Sequence, residues 1–149
     1  MNFISFKNKS YHKFDYLSDF ENILIEAQKE FKEPKNLNVD ILFVTALEMK
    51  KLNNEYRGKN YTTDILSFPL DATKELDFLD SVMLGQIIIS PWKIKKQAKE
   101  FGHSLKREFC YIFAHGIAHL FGFDHQTEEE AEIMNNHVEN IMKRLNIGR

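Results

Sequence analysis

The chain has little with which to build several kinds of protein. One cysteine, Cys110, occurs in 149 residues. An intramolecular disulfide is therefore excluded, and no thiolate cluster can hold a metal. The net charge is only −2, too small for a global electrostatic pull on nucleic acid. The longest stretch without Asp, Glu, Lys or Arg runs from Phe109 to Phe123, 15 residues that include two histidines. A membrane helix needs about 20 apolar residues, so this run is expected to be a buried helix instead. The opening Met1-Asn2-Phe3-Ile4-Ser5-Phe6 lacks the apolar core of a secretion signal. These shortages predict a cytoplasmic protein with no membrane partner. Repeats and low-complexity tracts are also missing.

Hydrophobic residues at 43%, charged residues at 28% and 13 phenylalanines describe a globular chain with an aromatic-rich core. Its length suits one domain over residues 1–149, able to bury roughly 68–70% of its unfolded surface. Charge is uneven along it. Lys93, Lys95, Lys96, Lys99, Lys106 and Arg107 stand against Glu100, whereas Glu128, Glu129, Glu130 and Glu132 make a later acidic cluster. A lysine-rich helix is by default a solvated face, and only its position relative to a site gives it another meaning.

Periodicity divides the chain into alternating elements. Asn2 to Phe6 reads as a strand, then Leu17, Phe20, Leu24, Ala27 and Phe31 recur at helical spacing up to Pro34. Val39 to Thr45 is a β-branched run; Met49, Leu52 and Tyr56 mark a second helix ending near Gly58. Asp64 to Pro69 reads as a strand that its proline pushes to an edge or an end. Asp71 to Ser81 is expected to be an acidic loop, and Leu84 to Ser90 another strand. Ser90-Pro91 starts a helix that commits Ile94, Ala98 and Phe101 to the core, leaving Lys93, Lys96 and Lys99 outward. Ser104 caps the next helix, about Leu105 to Phe121, and Thr127 with Glu130 forms a capping box for the last. The sum is an α+β domain in which a small mixed sheet is covered by about five helices.

The most informative stretch is His115-Gly116-Ile117-Ala118-His119-Leu120-Phe121-Gly122-Phe123-Asp124-His125. Residues four apart share a helix face, so His115 and His119 aim at one point. Gly122 can take a left-handed conformation and let the chain return with His125. Three imidazoles suit one zinc ion, although such ligands also accept other divalent metals, and they leave a coordination position open. Burying three unpartnered imidazoles beside Phe113, Leu120 and Phe123 would cost a few kcal/mol for each unsatisfied polar group. His12, His103 and His137 lack ligand spacing. The spacing matches the extended zinc-protease signature except that its general base, a glutamate, is replaced by Gly116. The metal cradle is present without the peptidase base.

A second constellation, Tyr56-Arg57-Gly58-Lys59-Asn60-Tyr61-Thr62-Thr63-Asp64-Ile65-Leu66-Ser67-Phe68, is rich in groups that bind oxyanions, led by the guanidinium of Arg57. With the histidine run, this resembles the YbeY family of bacterial ribosomal RNA maturation factors. The matching residues are Gly116, Leu120, Gly122 and Asp124 around the three histidines, Tyr56 to Lys59 with Thr63 to Pro69, and Leu84-Gly85. Two positions depart from the family pattern: Thr62 replaces a usual proline, and Gln86 a usual aspartate.

The resemblance implies a zincin-like fold and cleavage of single-stranded RNA, in 3′-end maturation of small-subunit ribosomal RNA and ribosome quality control. It thereby implies ribosomal RNA and the small subunit with its proteins as partners. On this reading zinc sits on His115, His119 and His125, and Arg57 neutralises charge on the reacting phosphate. Asp124 orients the turn or a ligand, while Lys59, Lys96 and Lys99 contact RNA. No general base is evident. Two alternatives remain at this level: an assembly factor with weak or no catalysis, and a zinc-dependent hydrolase or protease.

Overall fold

The computed structural model describes residues 1–70 and 80–148. Among these residues, four strands and five helices follow in the order β1 (Phe3–Asn8), α1 (Leu17–Glu30), β2 (Asn36–Phe43), α2 (Ala46–Arg57), β3 (Ile65–Pro69), β4 (Ser81–Ile89), α3 (Pro91–Phe101), α4 (Leu105–Leu120) and α5 (Glu128–Arg144). The sheet order is β1-β2-β4-β3. β1, β2 and β4 are parallel; β3 runs antiparallel to β4 and forms one edge. The α+β architecture with a mixed sheet is thus as expected, and Pro69 closes an edge strand, where a missing ladder donor costs least.

Side-chain alternation along β2 and β4 divides the interior into two layers. Leu37, Val39, Ile41, Phe43, Ile87 and Ile89 join α1, α4 and α5 in the main core. Leu66 and Ile88 instead meet Met49 of α2 on the opposite face. Stacked Phe20 and Phe113, with ring centroids 4.0 Å apart, lock α1 onto α4. The expected caps form: Ser104 accepts from Arg107 N–H at 3.1 Å, and Thr127 from Glu130 N–H at 3.1 Å.

Two glycines sit in close contact, one against backbone and one against side-chain methyls. At Gly85 (φ +139°) a Cβ would lie 2.2 Å from the Phe68 carbonyl oxygen, beside a register irregularity that leaves Leu84 unpaired between Met83 and Gly85. Gly116 faces the sheet from the middle of α4. A Cβ there would lie 2.8 Å from Ile65 Cδ1 and 3.1 Å from Ile87 Cδ1.

Several expectations need correction. β2 begins at Asn36 and β4 at Ser81, earlier than the apolar runs suggested, because ladder pairing recruits polar residues such as Asn36 and Ser81 into register with each other. Ser81 therefore belongs to a strand, while residues 71–79 of the anticipated acidic loop lie outside the described residues. Phe101 does not join the core and is 62% exposed. It is the last residue of α3, and the left-handed Gly102 (φ +68°) turns the chain away before another layer can cover it. Tyr56, on the helix expected there, is 58% exposed with its ring 5.0 Å from Phe68.

Candidate metal centre

The centre is built on α4, whose buried residues surround nearly the whole helix, including Phe109, Phe113, Ala114, Ile117 and Ala118. Such enclosure fixes the rotation of the helix and thus the direction of its one polar stripe. Arg107, Tyr111, His115 and His119 recur along that stripe every four residues. After Leu120, Phe123 N–H bonds Ala118 O at 3.1 Å and Gly122 adopts φ +101°, reversing the chain. Asp124 Oδ1 then accepts His125 N–H at 2.7 Å and lies 3.7 Å from its Nδ1. The turn brings His125 over the helix.

One nitrogen from each of His115, His119 and His125 lies within 4.8 Å of the other two, and His119 Nε2 is 3.1 Å from His125 Nδ1. Ligand nitrogens at the corners of a tetrahedron with arms of 2.0–2.1 Å stand about 3.3–3.4 Å apart. The three side chains therefore fit a divalent ion with only small adjustment. Their protonation favours it too. Burial, reinforced by the other two imidazoles, lowers the pKa of His115 to about 4. Burial followed by the charges of His125 and Arg57 lowers that of His119, against an opposing pull from Asp124. Both rings are neutral near pH 7, with lone pairs available to a metal.

The remaining histidines have other partners. His137 Nδ1 is 2.7 Å from Glu30, His12 Nδ1 is 2.9 Å from Lys95 Nζ, and His103 pairs with Glu108. Among the described residues, only His115, His119 and His125 make a group with ligand geometry.

The opposite wall is the α2–β3 segment. Gly58 ends α2 in the left-handed conformation (φ +66°), exposing Arg57 at the turn. Buried Asn53 donates Nδ2 to Tyr61 O at 2.8 Å, and Thr62 Oγ1 donates to Ala46 O at 3.0 Å, tying the loop back onto α2. At the family's usual proline position, Thr62 thus replaces ring stiffness with a hydrogen bond. Gln86 lies within β4, opposite Asp40 and Phe68.

Between the walls is a cleft of about 680 Å³ whose lining includes Arg57, Asp64, Phe68, His115, His119 and His125. Asp124 also lines it, whereas Lys59, Lys96 and Lys99 do not. Lys96 instead rests its Nζ 5.3 Å from the centre of the Trp92 ring. The structure brings Arg57 and the histidines to one cleft and leaves the three lysines outside its lining. Sequence patterning did not single out Tyr111 or Asn53. Tyr111 could have been found from its place one turn before His115; Asn53 carried only the weak signal of an amide four residues after buried Met49.

The Gly116 contacts also explain the missing protease base. That position points into the sheet, where a glutamate would collide with Ile65 and Ile87. No helix among the described residues is long and apolar enough to cross a membrane.

Comparison with known proteins agrees with the motifs. The solution structure of a Thermotoga maritima protein shares the fold with a TM-score of 0.58 and 24% identity, covering 97% of this chain and 91% of that one. The endoribonuclease YbeY of Mycoplasmopsis pulmonis is 44% identical over 149 residues, all of both chains. That of Mycoplasma mobile is 45% identical over 142 residues, covering 95% of this chain and 93% of its own. With residues 3–146 also matching the family model described as Endoribonuclease YbeY, this chain belongs to the YbeY family.

Proposed function

We propose that this protein is a zinc-dependent endoribonuclease that cuts single-stranded RNA. Its substrate is the precursor of small-subunit ribosomal RNA, met in the cytoplasm during 3′-end maturation and quality control of the ribosome. The observation that carries the catalytic reading is the convergence of three histidines in a cleft also lined by Arg57. The ribosomal setting is carried by family membership.

His115, His119 and His125 hold the ion, and the all-imidazole set with an open position favours zinc. When bound, the ion supplies Lewis-acid chemistry toward a phosphate ester. The protein's own residues do the rest. Arg57, exposed at the helix end, grips two phosphate oxygens with its planar fork and neutralises the charge that develops on them. Asp124 holds the His125 backbone and so orients that ligand. Tyr56 and Phe68 form an aromatic pair at the cleft, a surface on which an unpaired base can stack. Lys59, beside Arg57 on the loop, and Lys96 and Lys99 on α3 contribute outside the cleft as contacts to a longer RNA backbone.

The test is cleavage of a defined single-stranded RNA by metal-replete and chelated protein, with product ends identified. Cutting that chelation abolishes and zinc restores is the expected result. RNA that is bound but never cut by metal-replete protein would replace the nuclease with an assembly factor.

A further inference from the structure

A second cavity, of about 510 Å³, adjoins the metal cleft and shares Asp64, Tyr111 and Ile112 with it. Tyr111 stands one helical turn, about 6 Å, from His115 along α4. Their rings are 6.5 Å apart and nearly parallel. A polynucleotide with a phosphate at the histidines therefore has the mouth of this cavity beside it, within reach of the neighbouring base.

The lining decides what would enter. Asp64, Glu108 and Glu139 bring three carboxylates against one guanidinium, Arg107. Arg107 Nη2 is committed to Glu139 at 3.0 Å, with its guanidinium 4.8 Å from the Tyr111 ring, and Glu108 is committed to His103. Arg107 and Glu108 are each only 7% exposed, and although Arg107 Nε has no partner, the three carboxylates outnumber the one guanidinium on this floor. Such a floor repels phosphate. A second metal is also disfavoured, because among the described residues no other ligand cluster converges. Asp64, by contrast, is loosely held: its carboxylate accepts Thr63 Oγ1 at 3.3 Å and Gln97 Nε2 at 3.4 Å, both at the long limit of a hydrogen bond. Phe101 contributes an apolar ring that is 62% exposed, with no core contact to account for its place there. An exchangeable carboxylate and amide beside an open aromatic ring are what a neutral planar ring with N–H donors requires.

We propose that this cavity is a base-binding subsite for the nucleotide next to the scissile phosphate, stacking its base on Phe101 and reading an exocyclic amino group with Asp64 and Gln97. The inference rests on the RNA-cleaving reading and adds a sequence preference to it. Cytosine offers its 4-amino group to a carboxylate. Uracil presents a carbonyl oxygen there and leaves Asp64 facing a second acceptor. Bases bearing an amino group are therefore preferred to uracil beside the cut.

Metal-replete protein can be titrated, by fluorescence anisotropy, with 2′-O-methyl oligocytidine and oligouridine of equal length. The wild type is expected to bind the cytidine tract about 5- to 100-fold more tightly. Asp64→Asn and Gln97→Leu should reduce that ratio, and Phe101→Ala should weaken the cytidine tract by about 5- to 100-fold. Phe101 is exposed, so that variant folds; thermal melting checks the other two. A wild-type ratio near one, or wild-type affinity in Phe101→Ala, overturns the subsite. The nuclease reading is judged separately in the cleavage assay. Protein that cuts RNA without base preference loses only the subsite; protein that shows the preference but cuts nothing loses only the nuclease assignment.

Discussion

The two walls of the cleft are made by different physics. The histidine wall is a by-product of the core: α4 is packed on nearly every side, and His115 and His119 point where that packing sends them. The Arg57 wall is a loop. A left-handed glycine and two side-chain hydrogen bonds, from Asn53 and Thr62, hold it on α2. One wall shares its rigidity with the whole domain, while the other carries its exposed Arg57 side chain on a loop whose only buried tie is Asn53. Damage to the first should appear in metal content, and loss of the Arg57 side chain from the second in reaction rate alone.

The largest effect is expected from His119→Ala. It should release most of the metal and abolish cleavage, because two imidazoles cannot complete the site. Elemental analysis showing unchanged metal in the variant would mean that the histidine wall is not a ligand wall. Arg57→Ala should keep metal content and melting temperature near wild type while kcat/KM falls by roughly 10²–10³-fold. If the melting temperature falls instead, the contrast between the walls breaks. Arg57→Lys should rescue poorly, since an ammonium cannot form the bidentate fork.

Asn53→Ala probes the anchor of the loop. It removes the bond to Tyr61 O and should cost about 1–3 kcal/mol in a urea titration while raising KM, because the loop's fixed position is lost before its charge is. A stability loss with KM unchanged would show that Asn53 serves the fold and not the wall.

A smaller effect lies far from the cleft, where α1 meets α5. Burial pulls the Glu30 carboxyl upward, yet hydrogen bonds from His137, Asn140 and Arg144 outweigh it and hold its pKa below 4.5. A depressed carboxylate contributes stability above its unfolded pKa and loses it as pH falls through the folded value. Urea midpoints should therefore drop on acidification below about pH 4.5, less steeply in Glu30→Gln. Identical slopes in the two proteins would discard this clamp as a source of acid sensitivity. The smallest change concerns the lysines outside the cleft. If Lys96 and Lys99 each touch a phosphate, replacing both by glutamine should flatten the slope of log K against log salt by roughly 1.4 for single-stranded RNA. An unchanged slope assigns them to solubility.

The difference between the walls also decided what could be read from the letters. Histidines at helical spacing, a glycine after them, and Ser104 and Thr127 as caps are local signals that tertiary packing left intact. The edge position of β3 followed from Pro69 for the same reason. Phe101 misled because periodicity reports which residues share a face, not whether another element arrives to cover it. The cavity beside Tyr111 was illegible, since it gathers Asp64, Gln97 and Glu139 from distant segments. Gly116 was legible as the absence of a base, while the Ile65 and Ile87 side chains that demand it were not.

Those contacts also make Gly116 a gauge. Ile65 begins β3 and lines the cleft, and Gly116 follows His115, so the space between them helps set the width of the cleft. An added methyl there would have to be taken up by the terminal methyls of Ile65 and Ile87, which fill the space under α4. Room beneath the histidine wall is thus kept by a side chain that is not there.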